Sequence, residues 1–237
     1  MNPFDPAPNN FEKKMNFLKS LLKEYFPLFF ERLRRFRYEN TILPREFMKH
    51  ATRLSSSDLV IDVGANIGLV TEVLARRGAR VIAFEPNSTA FEKLRGVAQR
   101  YGNIELRNEA TGIDNRKIKL FLHKNTNDTD DDFTQASSLL SSKPNVSADN
   151  FQLVNEIDFA HYLKSLGEQV ELIKMDIEGY EIELLNHLLD KDAIRNVNRF
   201  YVETHERKFS DLVIPTEKLK ARIKQEGYEN KFFFDWH

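Results

Sequence analysis

A short apolar run, Leu59-Val60-Ile61-Asp62-Val63, ends abruptly at Gly64-Ala65-Asn66-Ile67-Gly68, and this junction constrains the chain more than any other segment. An unbroken run of branched residues closed by glycine suits a buried parallel strand entering a tight turn. A helical pattern follows in Ile67, Val70, Val73 and Leu74. The next strand is Arg80–Phe84, closed by Glu85-Pro86. Asn87 or Ser88 can then cap a helix carrying Ala90, Phe91, Leu94 and Val97. A third strand is expected over residues 103–107. Strand and helix alternating at this spacing specify a doubly wound sheet.

The second half repeats the alternation. Residues 171–175 read as a strand, and Ile182, Leu184, Leu185, Leu188 and Leu189 mark a helix. Residues 200–205 are another strand, a last helix spans 216–226 with Gly227 as its stop signal, and 231–236 should close the sheet. Residues 117–123 alternate like an exposed or edge strand. The polar stretch 124–150, with Asp128, Asp130, Asp131 and Asp132 followed by several serines, is expected to be a loop or lid. It lacks the sixth-position Gly and twelfth-position Glu of an EF-hand. The expected fold is α/β and Rossmann-like, a mostly parallel seven-stranded doubly wound sheet over residues 51–237 with a helical extension over 1–50.

That extension is a separate problem. Phe17, Leu18, Leu21, Leu22, Tyr25 and Phe26 recur at helical spacing, and Phe29, Phe30, Leu33 and Phe36 continue the stripe past Pro27, which should end or kink the helix. Residues 11–50 hold ten Lys or Arg against five Glu. Amphipathic helices packed on the main domain are expected; peripheral contact with a membrane surface or an acidic partner is the alternative.

Composition narrows the classes of function. The chain has no cysteine, which excludes disulfides, thiolate metal sites and cysteine nucleophiles. A formal net charge of −1 gives no long-range attraction to a phosphate backbone, so nucleic acid is a poor partner. The start lacks the basic and apolar regions of a secretory signal, and no stretch approaches the roughly 18 apolar residues of a membrane span. A cytoplasmic location is expected. Oligomeric state is not legible.

The first strand's carboxyl end points to a nucleoside. Glu85 ends the second strand about twenty residues after the glycine turn, where an acid can accept both hydroxyls of an adenosine ribose. The Gly64 to Gly68 spacing is not the Gly-x-Gly-x-x-Gly that a dinucleotide pyrophosphate wants, and no Walker lysine motif is present. S-adenosyl-L-methionine carries no phosphate and fits better. Asp62 can serve its amino group or a bound water, and Asn66 its carboxylate or the main chain. An NAD-type oxidoreductase or a non-catalytic adenosyl-binding scaffold remain the alternatives.

In a doubly wound sheet ligands bind outside the carboxyl ends at the switch point where strand order reverses, and the strands bearing Gly64 and Asp176 should flank it. Lys174 and Asp176 share one face of their strand because side chains alternate. Glu203 and His205 likewise share a face at the end of the neighbouring strand. An alcohol is a weak nucleophile at neutral pH, so a positioned base helps. His205 is the first choice for that base and Asp176 the second, with Lys174 as its charge partner or an orienter of the hydroxyl. Glu178 can bind an acceptor hydroxyl or simply favour a helix N-terminus. No histidine pair has His-x-x-x-His spacing, and no metal site is read.

Val60 to Gly68, Glu85-Pro86, Asn108-Glu109-Ala110, Ser137-Ser138-Leu139, Ile173 to Glu181 and Val202 to His205 together resemble the FkbM-type methyltransferases, in that order and spacing. The resemblance covers residues 58–210. It implies a class I methyltransferase fold and S-adenosylmethionine-dependent O-methylation of a sugar, glycan or related hydroxyl. It implies cofactor contacts at Asp62, Gly64, Asn66, Gly68, Glu85 and Asn108. Around the acceptor it places Lys174, Asp176, Glu178 and His205, with Glu203 and Ser138 as further substrate candidates. Departures are mild: Pro86-Asn87-Ser88 replaces a Pro-x-Pro, Ala136 a glycine, and Ile157-Asp158 a Leu-Asp.

Overall fold

The computed structural model describes residues 37–123 and 146–234, with Lys14 and Trp236. The chain divides into two compact units, residues 1–45 and 46–237. Of the first, the described part is a π-helical turn at Tyr38–Ile42, closed by the Leu43 N–H donating to the Tyr38 carbonyl at 3.1 Å. The aromatic stripe upstream, the acidic run and Ser138 lie outside the described residues.

In the second unit the strands are β1 (Leu59–Val63), β2 (Arg80–Phe84), β3 (Ile104–Arg107), β4 (Ala110–Gly112), β5 (Arg116–His123), β6 (Val146–Asp158), β7 (Val170–Met175), β8 (Val197–Val202) and β9 (Phe232–Phe233). The helices are α1 (Arg45–Ala51), α2 (Leu69–Arg76), α3 (Ser88–Ala98), α4 (Phe159–Ser165), α5 (Glu181–Asp190) and α6 (Val213–Gln225). The main sheet runs β3-β2-β1-β7-β8-β9 with every neighbouring pair parallel. Strand order therefore reverses between β1 and β7, the pair expected to flank the switch point.

Helices cover both faces. Leu59, Ile61, Val63, Ile173, Met175, Phe200 and Val202 pack with Phe159, Leu163, Leu184, Leu188, Leu219 and Ile223 in the principal core, which joins α4, α5 and α6 to the sheet. On the other face Leu94 of α3 meets Ala65 and Ala83, and Phe47 of α1 meets the Tyr201 and Trp236 rings edge-on at 5.3 and 4.8 Å. Asn87 caps α3, its Oδ1 accepting the Thr89 and Ala90 N–H groups at 2.9 and 3.1 Å. Gly227 ends α6 with φ of +78°, a left-handed conformation that glycine adopts without penalty.

Two expectations are corrected. Among the described residues the main sheet has six strands where seven were expected, because the edge-like segment β5 leaves it for a second sheet, ordered β4-β6-β5. And the end of the stretch expected to be a loop is strand: β6 begins at Val146 and pairs antiparallel with β5. Its first five residues, Val146 to Asn150, hold one large apolar side chain, and the adjacent Leu153 and Val154 break the alternation further on. β4, at three residues, is too short to show any period.

Candidate active site

The site is built from the loops that leave β1, β2, β7 and β8. At the end of β1 the chain turns through Gly64, with φ of +74°, and Gly68, with φ of +88°. Gly64 is required twice over, because a Cβ there would also run into the Asp176 carbonyl oxygen. Between them Asn66 is left-handed too, at φ of +49°, which its short polar side chain tolerates better than most.

Glu85 is buried beside this turn. Its Oε2 accepts the Asn66 N–H at 2.7 Å and its Oε1 the Asn87 N–H at 2.8 Å. Burial pushes its carboxyl up to about 7, against the pull of the two N–H donors and of Lys174. Each oxygen keeps a second lone pair for a further donor. Asn108 secures the same strand end, its Nδ2 donating to the Glu85 and Pro86 carbonyls at 2.8 and 3.3 Å.

Asp62 and Lys174 link this half to the next. They are register partners on β1 and β7, both buried, with Nζ 3.5 Å from Oδ1. Asp62 Oδ2 accepts from Thr71 Oγ1 at 2.6 Å. Lys174 Nζ donates to the Gly64 carbonyl at 2.9 Å and lies 3.7 Å from Asp176 Oδ2. One ammonium thus touches the glycine turn, the β1 acid and the β7 acid.

Beyond Lys174, an imidazole sits among carboxylates. β8 stops at Val202, three residues short of the strand expected from the sequence, although the Glu203 N–H adds one more rung by donating to the Met175 carbonyl at 2.9 Å. The chain then delivers His205, whose side chain is fully buried. Its Nε2 lies 3.5 Å from Glu178, 3.7 Å from Asp176 and 3.9 Å from Glu203, and its Nδ1 lies 3.3 Å from Glu181. Neither nitrogen has a hydrogen-bond partner. Burial pulls the imidazole down, but Glu181, Glu178 and Asp176 outweigh it and the group is raised. Burial, with Asp176 nearby, raises Glu203 as well. Lys208 approaches Glu203 to 3.4 Å.

Glu178 has φ of +58°, a conformation that costs a non-glycine residue about 1–2 kcal/mol. Such a cost persists only where surrounding structure enforces it. Glu181 was not singled out from the sequence. Its place in the first turn of α5 reads as a favourable helix-start acid, and the contact with His205 spans 24 residues.

Asp176, Glu181 and His205 each offer one ligand atom within 4.8 Å of the others, a spacing that a cation can use. Both Glu181 oxygens already accept a backbone N–H, from Ile177 and Gly179. A proton on the imidazole would answer the same carboxylates.

The geometry meets an independent finding. The family described as methyltransferase FkbM domain matches residues 62–229. This chain belongs to that family. The match runs from the buried acid of β1 to the last turn before β9, and so contains both halves of the site. A 56-residue segment is 45% identical to ribosomal RNA small subunit methyltransferase A of Thermotoga petrophila, covering 24% of this chain and 22% of that protein. The chain thus spans about a fifth of the length of that relative. Among solved structures, precorrin 8w decarboxylase from Methanobacterium thermoautotrophicum is 18% identical with a TM-score of 0.41, covering 79% of this chain and 76% of that one. A chain of the fibrillarin/Nop5p complex is 18% identical with a TM-score of 0.38, covering 73% and 61%. Among the described residues no helix is long and apolar enough to cross a membrane.

Proposed function

We propose that this FkbM-family methyltransferase uses S-adenosylmethionine to methylate a hydroxyl oxygen. One observation carries the reading: Glu85, at the end of β2, is buried and bonded to the Asn66 N–H of the glycine turn, while the His205 cluster gathers at the ends of β7 and β8, beyond the reversal of strand order between β1 and β7. The Glu85 carboxylate would grip the ribose diol. Asp62, Asn66 and the backbone at Gly64 and Gly68 would hold the remainder of the cofactor, and Asn108 would keep the Glu85 strand end in place. The cofactor supplies a methyl group on a sulfonium, already a good leaving group. What the chain must add is alignment of the acceptor oxygen and removal of its proton.

His205 takes that proton at Nε2, with Asp176 as the second candidate. Glu178 and Glu203 stand where acceptor hydroxyls would be bound, and Lys174 steadies Asp176. A polar, carboxylate-lined site of this kind favours a polyhydroxylated acceptor, so a sugar or glycan is the proposed class. The net charge of −1 offers nothing to attract a ribosomal RNA.

His205→Ala should lower turnover about 10²–10⁴-fold with cofactor affinity kept. Full activity in that variant removes His205 from the chemistry. Calorimetric titration with S-adenosylmethionine and with NAD checks the cofactor, and tighter binding of NAD would overturn the reading. Labelled methyl uptake by nucleotide sugars, glycans, lipid-linked sugars and ribosomal RNA checks the acceptor, and RNA as the sole labelled substrate would sink the sugar assignment.

A further inference from the structure

We propose that Glu181 is a positioning residue for acceptor deprotonation, one carboxylate that both aims the His205 imidazole and locks the turn carrying Glu178. This rests on the reading of His205 as the base. Glu181 is buried, and its side chain folds back over the start of its own helix. Oε1 accepts the Ile177 N–H at 2.7 Å, and Oε2 accepts the Gly179 N–H at 2.9 Å. Between those two donors lies left-handed Glu178, with φ of +58°, and the second donor, Gly179, is left-handed too at +103°. The two bonds therefore straddle the strained residue and hold it in place.

The same Oε1 is 3.3 Å from His205 Nδ1. Nδ1 makes no hydrogen bond in the ring's present orientation, and Glu181 Oε1 at 3.3 Å is the acceptor that a small turn of the ring would align with an Nδ1 proton. Putting the proton there leaves the Nε2 lone pair on the side of Asp176, Glu178 and Glu203, which lie 3.7, 3.5 and 3.9 Å from that nitrogen. Among the described residues the charged groups around the ring include those three carboxylates, Glu181 behind, Lys208 against Glu203 and Lys174 against Asp176. The Phe209 ring stacks beside it, with centroids 6.5 Å apart and planes 25° from parallel. A helix-capping carboxylate would need only the backbone donors. The third neighbour, brought from the end of β8, is what ties the cap to the chemistry.

The test uses the full chain and the variant Glu181→Gln, which keeps the shape but has one carbonyl oxygen for two backbone donors. Nitrogen NMR of His205 without cofactor or acceptor reads the tautomer directly. The Nδ1-protonated form is expected in the wild type and a mixture in the variant. Turnover should fall about 10–100-fold, with KM for cofactor within about threefold, and the acid limb of the kcat profile should move to lower pH because the anion behind the ring is gone. A wild-type protein with the proton on Nε2 overturns the proposal without any variant. So does a folded variant with wild-type tautomer and limb. Signals from His205 broadened by Mn²⁺ in the wild type but not in the variant would make Glu181 a metal ligand and overturn it too. The NMR result stands whether or not methyl transfer is found, whereas unchanged turnover in His205→Ala defeats only the base reading.

Discussion

The two halves of the site are built differently. The proposed cofactor half is mostly main chain: a turn of left-handed residues, the carbonyl of Gly64 and the N–H groups of Asn66 and Asn87, with two buried acids, Glu85 receiving both N–H groups and Asp62 beside Lys174. The acceptor half is mostly side chain: four carboxylates and one imidazole, brought from β7, the start of α5 and the end of β8. Main-chain geometry tolerates few replacements and binds one shape. A cluster of side chains can be rearranged without disturbing the sheet beneath it. A fold that keeps its cofactor while changing its acceptor would divide the labour in this way.

If the cofactor half is rigid backbone, its glycines should carry the largest stability cost. Gly64→Ala combines a left-handed penalty with a Cβ driven into the Asp176 carbonyl, and should cost about 3 kcal/mol or more. Gly68→Ala should cost less, because its Cβ would meet the Leu94 Cδ1 and Val97 Cγ2 methyl groups at 2.7 and 3.1 Å, and side chains can yield. Urea unfolding of the two variants without ligand checks the order. Equal losses would show that the close approach of β1 and β7 is not what demands glycine at position 64.

The same contrast explains what could be read from the sequence. Gly64, Gly68 and Glu85 lie within 22 residues, and the strand-turn-helix pattern around them is local, so the glycine turn and the acid beside it were legible almost residue by residue. Lys174, Asp176, Glu178, Glu203 and His205 were also named, because each sits at a strand end. What escaped was the relation among them. The Glu181 contact joins the start of one helix to the end of a distant strand, and no period marks it. The small sheet escaped for a similar reason, although it braces both halves. Gln152 of β6 accepts from Ser88 at the start of α3, through N–H at 3.3 Å and Oγ at 3.1 Å. Glu156, also on β6, accepts from Tyr180 beside α5 at 3.3 Å and from Arg116 at 2.6 Å. Its polar strand start and three-residue partner gave no alternation strong enough to separate them from loop.

A second prediction asks whether the two halves are independent. Glu85→Ala should weaken S-adenosylmethionine binding by about 1–3 kcal/mol, the scale of a lost charge-assisted hydrogen bond, and leave the acceptor cluster untouched. Calorimetry measures the first, and His205 titration by NMR the second. A shifted imidazole in this variant would mean that Lys174, which touches Asp62, Asp176 and the glycine turn, couples the halves electrostatically. Affinity unchanged would take Glu85 out of the ribose site.

The smallest effect is the most specific to the cofactor half. Glu85 sits at about 7 in the folded protein, above the ordinary carboxylate value of 4.5. A raised carboxyl holds its proton more tightly folded than unfolded. Its contribution to apoprotein stability is therefore full below about pH 4.5 and is lost as pH climbs through 7, at most about 3 kcal/mol in total. Cofactor binding should run the opposite way, because a ribose diol donates to the ionised carboxylate. From pH 6 to 8 the ionised fraction rises from about a tenth to about nine-tenths, so affinity for S-adenosylmethionine should tighten by up to about tenfold. Glu85→Gln should flatten both slopes. Opposed slopes in the wild type that vanish together in the variant would assign them to one buried carboxyl. A binding slope that survives in Glu85→Gln would assign it to the acceptor cluster instead, and the division between main-chain and side-chain halves would no longer describe how the cofactor is held.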